Sequence, residues 1–181
     1  EDATIRFVDD VLSIGNPLFQ NWCVLENKLI NGPPAGIYPS YLKLNRESGP
    51  APKLHYLDLN IFLDKKSKRI ATNIYSKRED PKFSKLAFNK FPQISSKLGK
   101  DSKYGIVNSQ YQRYAKLCSL QKDLCAKTIQ LLNALSKKGY SKNRLLERLK
   151  KSIFKVGLIF PKSTPNNMYK DFATKFNSSR N

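Results

Sequence analysis

The chain has 181 residues, and 40% of them are hydrophobic, which supports one or two small domains with a core. The formal net charge is +19 and is unevenly spread: residues 1–64 carry 5 basic and 8 acidic side chains, whereas residues 65–181 carry 28 basic and 6 acidic. A second part this basic predicts a polyanionic partner. Nucleic acid is favoured over a membrane, because the sequence shows no long apolar helix and no lipidation motif. The odd count of three cysteines argues against a disulfide scaffold.

Two adjacent aspartates lie between short runs that are typical of β-strands. Thr4–Val8 alternates as a strand and Val11–Ile14 can return beside it, which places Asp9 and Asp10 at the tip of a predicted hairpin. Two closely spaced divalent metals require clustered carboxylates on a rigid backbone. An acidic turn without function is the alternative, because aspartates are common in turns.

Further elements are predicted before residue 80. A helix follows from Pro17 to Leu29, and a short strand lies near Tyr41–Leu44. Leu54–Leu63 alternates as one continuous strand, with the aliphatic residues at 57, 59, 61 and 63 on one face. The charged run Asp64–Lys68 is predicted to turn the chain, and Arg69–Tyr75 to return as a second strand.

Beyond about residue 104 the apolar spacing becomes helical. The first predicted helix has the stripe Val107, Tyr111, Tyr114 and Cys118; the second runs from Gln121 to Lys138, with Leu124, Thr128, Leu131, Leu132 and Leu135 inward; the third, after Ser141, buries Leu145, Leu149, Ile153 and Val156. Cys23 and Cys125 also fall on apolar helical faces and are predicted to be core thiols. After Pro161 the composition is rich in Asn, Ser and Lys, which predicts an extended or disordered arm that can order on RNA.

The outer face of the third predicted helix carries a straight basic stripe. Arg144, Arg148, Lys151 and Lys155 follow one another at i, i+4, i+7 and i+11, with only Glu147 nearby. Aligned like charges repel unless an anion lies along them, whereas an ordinary solvent-facing helix mixes both signs. The stripe therefore predicts contacts with a phosphate backbone that are independent of sequence and sensitive to salt.

The order of several motifs gives the chain a resemblance to a known family. Arg6-Phe7-Val8-Asp9-Asp10 is followed by Tyr56-Leu57-Asp58-Leu59, by Tyr75-Ser76-Lys77 and by Ser109-Gln110-Tyr111-Gln112-Arg113. Over roughly residues 4–155 the chain resembles the C-terminal half of a reverse transcriptase, most of all Penelope-like and related eukaryotic retroelement enzymes. The resemblance implies a palm whose Asp9 and Asp10 bind metal, and a thumb that opens at the Ser-Gln-x-x-Arg helix.

Some parts of a reverse transcriptase are not found before the hairpin in this sequence. A reverse transcriptase has fingers and an earlier palm strand with a third metal-binding aspartate. Two carboxylates repel each other and need a complete cage of ligands. We therefore expect the chain to be inactive alone, with Mg²⁺ at Asp9 and Asp10 only if another segment completes the site. Asp58 is expected to be structural, and a purely structural protein is expected to need no cofactor.

Together these observations predict an α+β fold: a partial antiparallel palm-like sheet with a packed helix, followed by a helical thumb-like domain. The predicted boundaries are 1–80 for the partial palm, 81–103 for a connecting loop, 104–157 for the helical domain and 158–181 for a basic extended tail.

The basic turn after Asp64 is predicted either to contact phosphate or to be an ordinary solvated loop. The predicted nucleic-acid contacts are Lys65, Lys66, Lys68, Arg69, Lys77, Arg78, Arg113, Lys137, Lys138, Arg144, Arg148, Lys151 and Lys155.

Three functions are consistent with these features. The first is a reverse-transcriptase-derived protein that binds RNA as a structural component of a ribonucleoprotein, for example an organellar ribosome, with other proteins of that particle as partners. The second is the C-terminal portion of an active RNA-directed DNA polymerase that uses Asp9 and Asp10, with the N-terminal half on another segment. The third is a basic adaptor for membranes or acidic proteins, which explains the charge but not the order of the motifs. We expect an intracellular protein without a membrane partner, in the mitochondrion rather than the nucleus.

Overall fold

The computed structural model describes residues 3–7, 10–14, 53–76, 90–157, 160–161 and 163–179. Five β-strands and four α-helices lie within these residues, which confirms the predicted α+β class. The chain forms two compact units, residues 1–57 and residues 58–181. The helix predicted from Pro17 to Leu29, which contains Cys23, and the strand predicted near Tyr41–Leu44 lie outside the described residues.

The first unit contains the predicted N-terminal hairpin. Strand β1 (Ala3–Phe7) pairs antiparallel with strand β2 (Asp10–Ile14), and Phe7 lies opposite Asp10. Asp10 therefore begins the second strand instead of lying at the tip, which corrects the prediction. Asp9 lies outside the described residues.

Three further strands form an antiparallel sheet: β3 (Lys53–Tyr56), β4 (Leu59–Asp64) and β5 (Arg69–Ile74), in the order β3–β4–β5. The prediction of one continuous strand over Leu54–Leu63 is wrong, because the chain turns at Leu57 and Asp58. Leu57 has a φ of 53°, a left-handed conformation that leucine rarely adopts, so no local sequence feature marks the turn. Tertiary contacts hold it instead: Arg113 donates to the Asp58 carboxylate.

The β4–β5 hairpin has the predicted charged turn, but its buried face differs from the prediction. The register runs from Leu59 opposite Ile74 to Asp64 opposite Arg69. Leu63 is 59% exposed, although it belongs to the face that alternation predicts to be buried. Asn60 on the opposite face is buried, because its amide donates to Asn73 Oδ1 at 2.7 Å and to the Ile74 carbonyl at 3.4 Å. Alternation alone does not show that an asparagine can be buried by pairing.

The four helices are α1 (Lys100–Leu117), α2 (Gln121–Ser136), α3 (Lys142–Val156) and α4 (Pro165–Ser178). Buried residues from all four belong to one hydrophobic core. The predicted apolar stripes are confirmed, because their central residues are fully buried: Val107, Tyr111, Leu124, Thr128, Leu132, Leu135, Leu145, Leu149 and Ile153. The first helix starts at Lys100, slightly before the position predicted from the sequence.

Helix α4 replaces most of the predicted extended tail, so that prediction is wrong for residues 165–178. Pro165 occupies the first turn, and the Thr164 hydroxyl accepts a hydrogen bond from the Asn167 N–H at 3.3 Å, a typical N-cap. Met168, Phe172 and Phe176 follow at i, i+4 and i+8, and all three are fully buried. Three large apolar side chains on one face outweigh the polar composition that predicts disorder.

Strands β4 and β5 belong to the same compact unit as the helices, residues 58–181, whereas the sequence predicts a boundary at residue 80. The Thr72 hydroxyl donates to the Leu117 carbonyl at 2.8 Å. The outer edge of β5 is also bonded to the loop after α1: the Thr72 N–H donates to Ser119 Oγ at 2.8 Å, and the Ser119 N–H donates to the Thr72 carbonyl at 3.0 Å. These contacts come from residues about forty-five positions apart, which local patterns cannot show.

The segment before α1 is irregular over residues 90–99, as predicted, while residues 77–89 lie outside the described part. A buried lysine fixes this segment: Lys103 is 4% exposed, and its Nζ donates to the carbonyls of Ile94 at 2.7 Å and Ser96 at 2.5 Å. The Tyr140 hydroxyl donates to the Pro92 carbonyl at 3.1 Å. Lys103 is therefore a structural cation and does not face solvent.

Candidate nucleic-acid interface

Helix α3 presents the predicted basic stripe on the outside of the second unit. Its inner face is fixed, because Leu145, Leu149 and Ile153 are 0% exposed. Arg144, Lys151 and Lys155 are exposed and Arg148 is half-buried, so all four predicted cations lie on the outer side. At a rise of about 1.5 Å per residue, the stripe spans roughly 16 Å from end to end. The fold thus holds four cations along one line on a well-anchored helix.

Two of the four cations in the stripe have carboxylate partners. Arg148 pairs with Asp101, which comes from the first turn of α1 and which the sequence did not place nearby. Lys151 pairs with Glu147 at 2.7 Å, and this hydrogen bond holds the pKa of the Glu147 carboxyl below its usual range. Arg144 and Lys155 form no ion pair with any residue that the structure describes. Exposed ion pairs of this kind are worth at most about 1 kcal/mol, so a phosphate can replace the carboxylates.

A shallow polar cleft of about 170 Å³ lies where the start of α1 meets α3. It is lined by Lys100, Asp101, Tyr104, Arg144, Glu147 and Arg148. The first turn of α1 has no side-chain cap, so its N–H groups add positive potential at the same end of the stripe. Lys100 of α1 therefore lines the same cleft as Arg144 and Arg148, the two N-terminal cations of the stripe.

The β4–β5 turn forms a second basic surface. Lys65, Lys66, Lys68 and Arg69 are all exposed, and none of them forms an ion pair within the described part of the chain. The turn has a fixed shape, because Asp64 accepts hydrogen bonds from the Ser67 N–H at 3.1 Å and the Ser67 hydroxyl at 2.7 Å. These bonds also hold the pKa of the Asp64 carboxyl below its usual value. Both a solvated turn and a phosphate contact remain consistent with this geometry.

The other predicted contact residues are scattered. Arg113 is engaged with Asp58, and this pairing accords with a structural role for that aspartate. Lys137 is exposed and Lys138 is half-buried just after α2. Lys77 and Arg78 lie outside the described residues. The structure thus groups two sets of predicted cations, the α3 stripe and the β4–β5 turn.

The predicted metal site at Asp9 and Asp10 stays a prediction. Asp9 lies outside the described residues, and Asp10 is placed by its backbone pairing with Phe7. Within the described ranges, no group of three or more His, Cys, Asp or Glu side chains could hold a metal ion.

Cys118 and Cys125 are buried and form no disulfide, as core thiols should, and burial raises the pKa of both.

One exposed residue of α3 was missed by sequence analysis. Phe154 is 47% exposed, beside the basic stripe. Its position outside the Leu145–Leu149–Ile153 spacing was the available indication.

No helix in the described part of the chain is both long and apolar enough to cross a membrane. No protein-family model, curated protein or solved structure matches the chain.

Proposed function

We propose that this chain is an RNA-binding protein that contacts the phosphate backbone through the outer face of α3. The observation that carries this proposal is the stripe itself: four cations lie along the outside of a helix that is anchored by the fully buried Leu145, Leu149 and Ile153. Six of the fifteen residues of α3 are Lys or Arg, against one Glu. So many cations on one helix repel one another, and a polyanion bound along the helix would offset this repulsion.

The long basic side chains favour contacts with phosphates over contacts with base edges. Phosphate contacts position a nucleic acid without selecting its sequence. The net charge of +22 carried by residues 65–181, from 28 basic and 6 acidic side chains, adds an attraction that acts over this whole range. The exposed β4–β5 turn supplies a second set of cations for the same partner. We therefore propose binding of structured or single-stranded RNA without strong sequence preference.

The biological setting that we propose is a ribonucleoprotein in which the chain has a structural role, with descent from a reverse transcriptase. The support is the order of the motifs together with the excess of positive charge. A mitochondrial ribosome is one such particle. The alternative proposal, the C-terminal portion of an active RNA-directed DNA polymerase, is supported by the antiparallel pairing of β1 with β2, the strand that Asp10 begins.

The proposal is tested by the salt dependence of RNA binding. Four phosphate contacts on a single strand give a slope of about −2.8 in log K against log salt concentration, so affinity should fall about fiftyfold between about 50 and 200 mM salt. Arg148→Gln with Lys151→Gln should weaken binding and make the slope shallower by about 1.4, since two contacts are lost. Fluorescence anisotropy with two RNAs of unrelated sequence measures both quantities.

The matched control is Lys116→Gln with Lys170→Gln, which removes two exposed cations from α1 and α4. It lowers the net charge by the same amount and should change the slope much less. If both double variants change the slope equally, the stripe has no special role. If the unmodified protein shows no salt-dependent binding to either RNA, the proposed function is wrong.

A further inference from the structure

We propose that Phe154 is a stacking platform for a base of single-stranded RNA, next to the phosphate-binding stripe of α3. This inference rests on the proposed function, and it specifies the form of RNA that the site accepts. Aromatic side chains that are open to solvent beside a basic groove are the usual means of holding single strands without sequence preference.

The exposure of Phe154 is exceptional within the described residues. It is 47% exposed, whereas the other Phe and Tyr side chains within residues 53–76, 90–157, 160–161 and 163–179 are buried or half-buried. Phe154 does not belong to the hydrophobic core, and no aromatic pair or cation–ring contact within the described part of the chain includes it. Nearly half of its surface is therefore accessible to a ligand.

The position of Phe154 on the helix places the ring at the side of the stripe. Lys150 and Lys151 precede it by four and three residues, so they are its neighbours on the helix surface, and Lys155 follows it directly. Successive residues are about 100° apart around a helix, which puts Phe154 about 60° from Lys151 and about 100° from the buried Ile153, on the side of the helix that faces solvent. In a single strand whose phosphates follow the stripe, bases project to the side, where this ring lies.

The surroundings favour a base over the apolar surface of a protein. Protein and membrane contacts use contiguous apolar patches, whereas the surface neighbours of Phe154 one turn back are two lysines. A single aromatic ring between cations matches one planar base attached to an anionic backbone. An RNA duplex offers no such base, because its bases are stacked on one another inside the helix.

The test compares Phe154→Leu and Phe154→Tyr on two ligands, a short single-stranded oligoadenylate and inorganic polyphosphate. Polyphosphate has the charge of a backbone but no bases. Phe154→Leu should weaken binding to oligoadenylate by at least about fivefold, since stacking of one base typically contributes that much or more. It should leave polyphosphate binding and the salt slope unchanged, because no ion contact is lost. Phe154→Tyr should bind oligoadenylate as the unmodified protein does.

Three results would overturn the inference. The first is an oligoadenylate affinity of Phe154→Leu equal to that of the unmodified protein. The second is an equal loss for Phe154→Leu and Phe154→Tyr, and the third is a parallel loss on polyphosphate. If the first result is accompanied by loss of a co-purifying protein, the ring is assigned to a protein contact. The salt slope of the unmodified protein and its change in Arg148→Gln with Lys151→Gln are measured separately, so failure of this inference is distinguishable from failure of the proposed function.

Discussion

Replacing Phe172 by alanine should destabilise the second unit by about 3–5 kcal/mol, the cost typical of deleting a fully buried phenylalanine. The Phe172 side chain is 0% exposed, and its ring lies edge-to-face against Tyr111 with centroids 6.3 Å apart. The substitution leaves a cavity and removes this aromatic pair, which contributes about 0.5–1.5 kcal/mol beyond its buried area. A domain of ordinary stability has about 5–15 kcal/mol in total, so the loss would be a large part of it.

Urea unfolding followed by far-ultraviolet circular dichroism measures this loss as a lower midpoint. Lys170→Ala is the matched control, because the side chain is exposed on the same helix; it should change the free energy of unfolding by no more than about 0.5 kcal/mol. A change for Phe172→Ala as small as that of the control would refute the packing of α4. That result would favour the extended tail that the composition of this segment predicts.

Asp101→Asn should tighten RNA binding by up to about fivefold, because it frees Arg148 from an exposed ion pair worth at most about 1 kcal/mol. Asp171→Asn makes the same change in net charge at the Lys175 pair on α4, and an equal effect there would contradict a local cause. Cys118 and Cys125 should react slowly with a thiol reagent at neutral pH in a Cys23→Ser variant, because burial raises the pKa of both thiols above the ordinary 9.0 and the thiolate is the reactive form. Their labelling rates should rise with pH, and rapid labelling of the folded protein at neutral pH would contradict this reasoning. The stability that the two protonated thiols contribute is fully present below pH 9.0 and should be lost as the pH rises through their pKa values in the folded protein.

The sequence predicts the helical core well, because regular spacing of large apolar side chains on a helix leaves few alternatives. Leu124, Leu132 and Leu135 are an example, and all three are fully buried. The same reasoning would have found α4, where Met168, Phe172 and Phe176 have helical spacing after a Thr-Pro start. The abundance of Asn, Ser and Lys between them conceals this pattern, since composition averages over the buried and exposed faces.

The strands are harder to predict, because their ends depend on contacts with distant residues. Leu57 turns the chain in a conformation that leucine rarely adopts, and Arg113 holds the neighbouring Asp58 from α1. Alternation of apolar residues continues through this turn in the sequence, so a single long strand and a hairpin have the same pattern. The burial of Asn60 likewise depends on its partner Asn73 across the hairpin.

The basic stripe of the candidate site was predictable, since its four positions follow from helix geometry alone. Its counter-ion Asp101 was not, because this residue lies 47 positions before Arg148 in the chain and comes from another helix. Phe154 was predictable in part. Its position outside the Leu145–Leu149–Ile153 spacing indicates that it is not a core residue, but its exposure of 47% is known only from the structure.

The hydrogen bonds between Thr72 and Ser119 have a consequence for self-association. β5 is the last strand of its sheet, and an uncovered last strand can recruit a strand from another molecule. Here the N–H and C=O of Thr72 are already bonded to Ser119, so the middle of this edge has no free backbone groups for such pairing. If the proposed function is right, many copies can bind along one polyanion and lie close together. A closed edge lets the molecules lie side by side there without growing into a continuous intermolecular sheet.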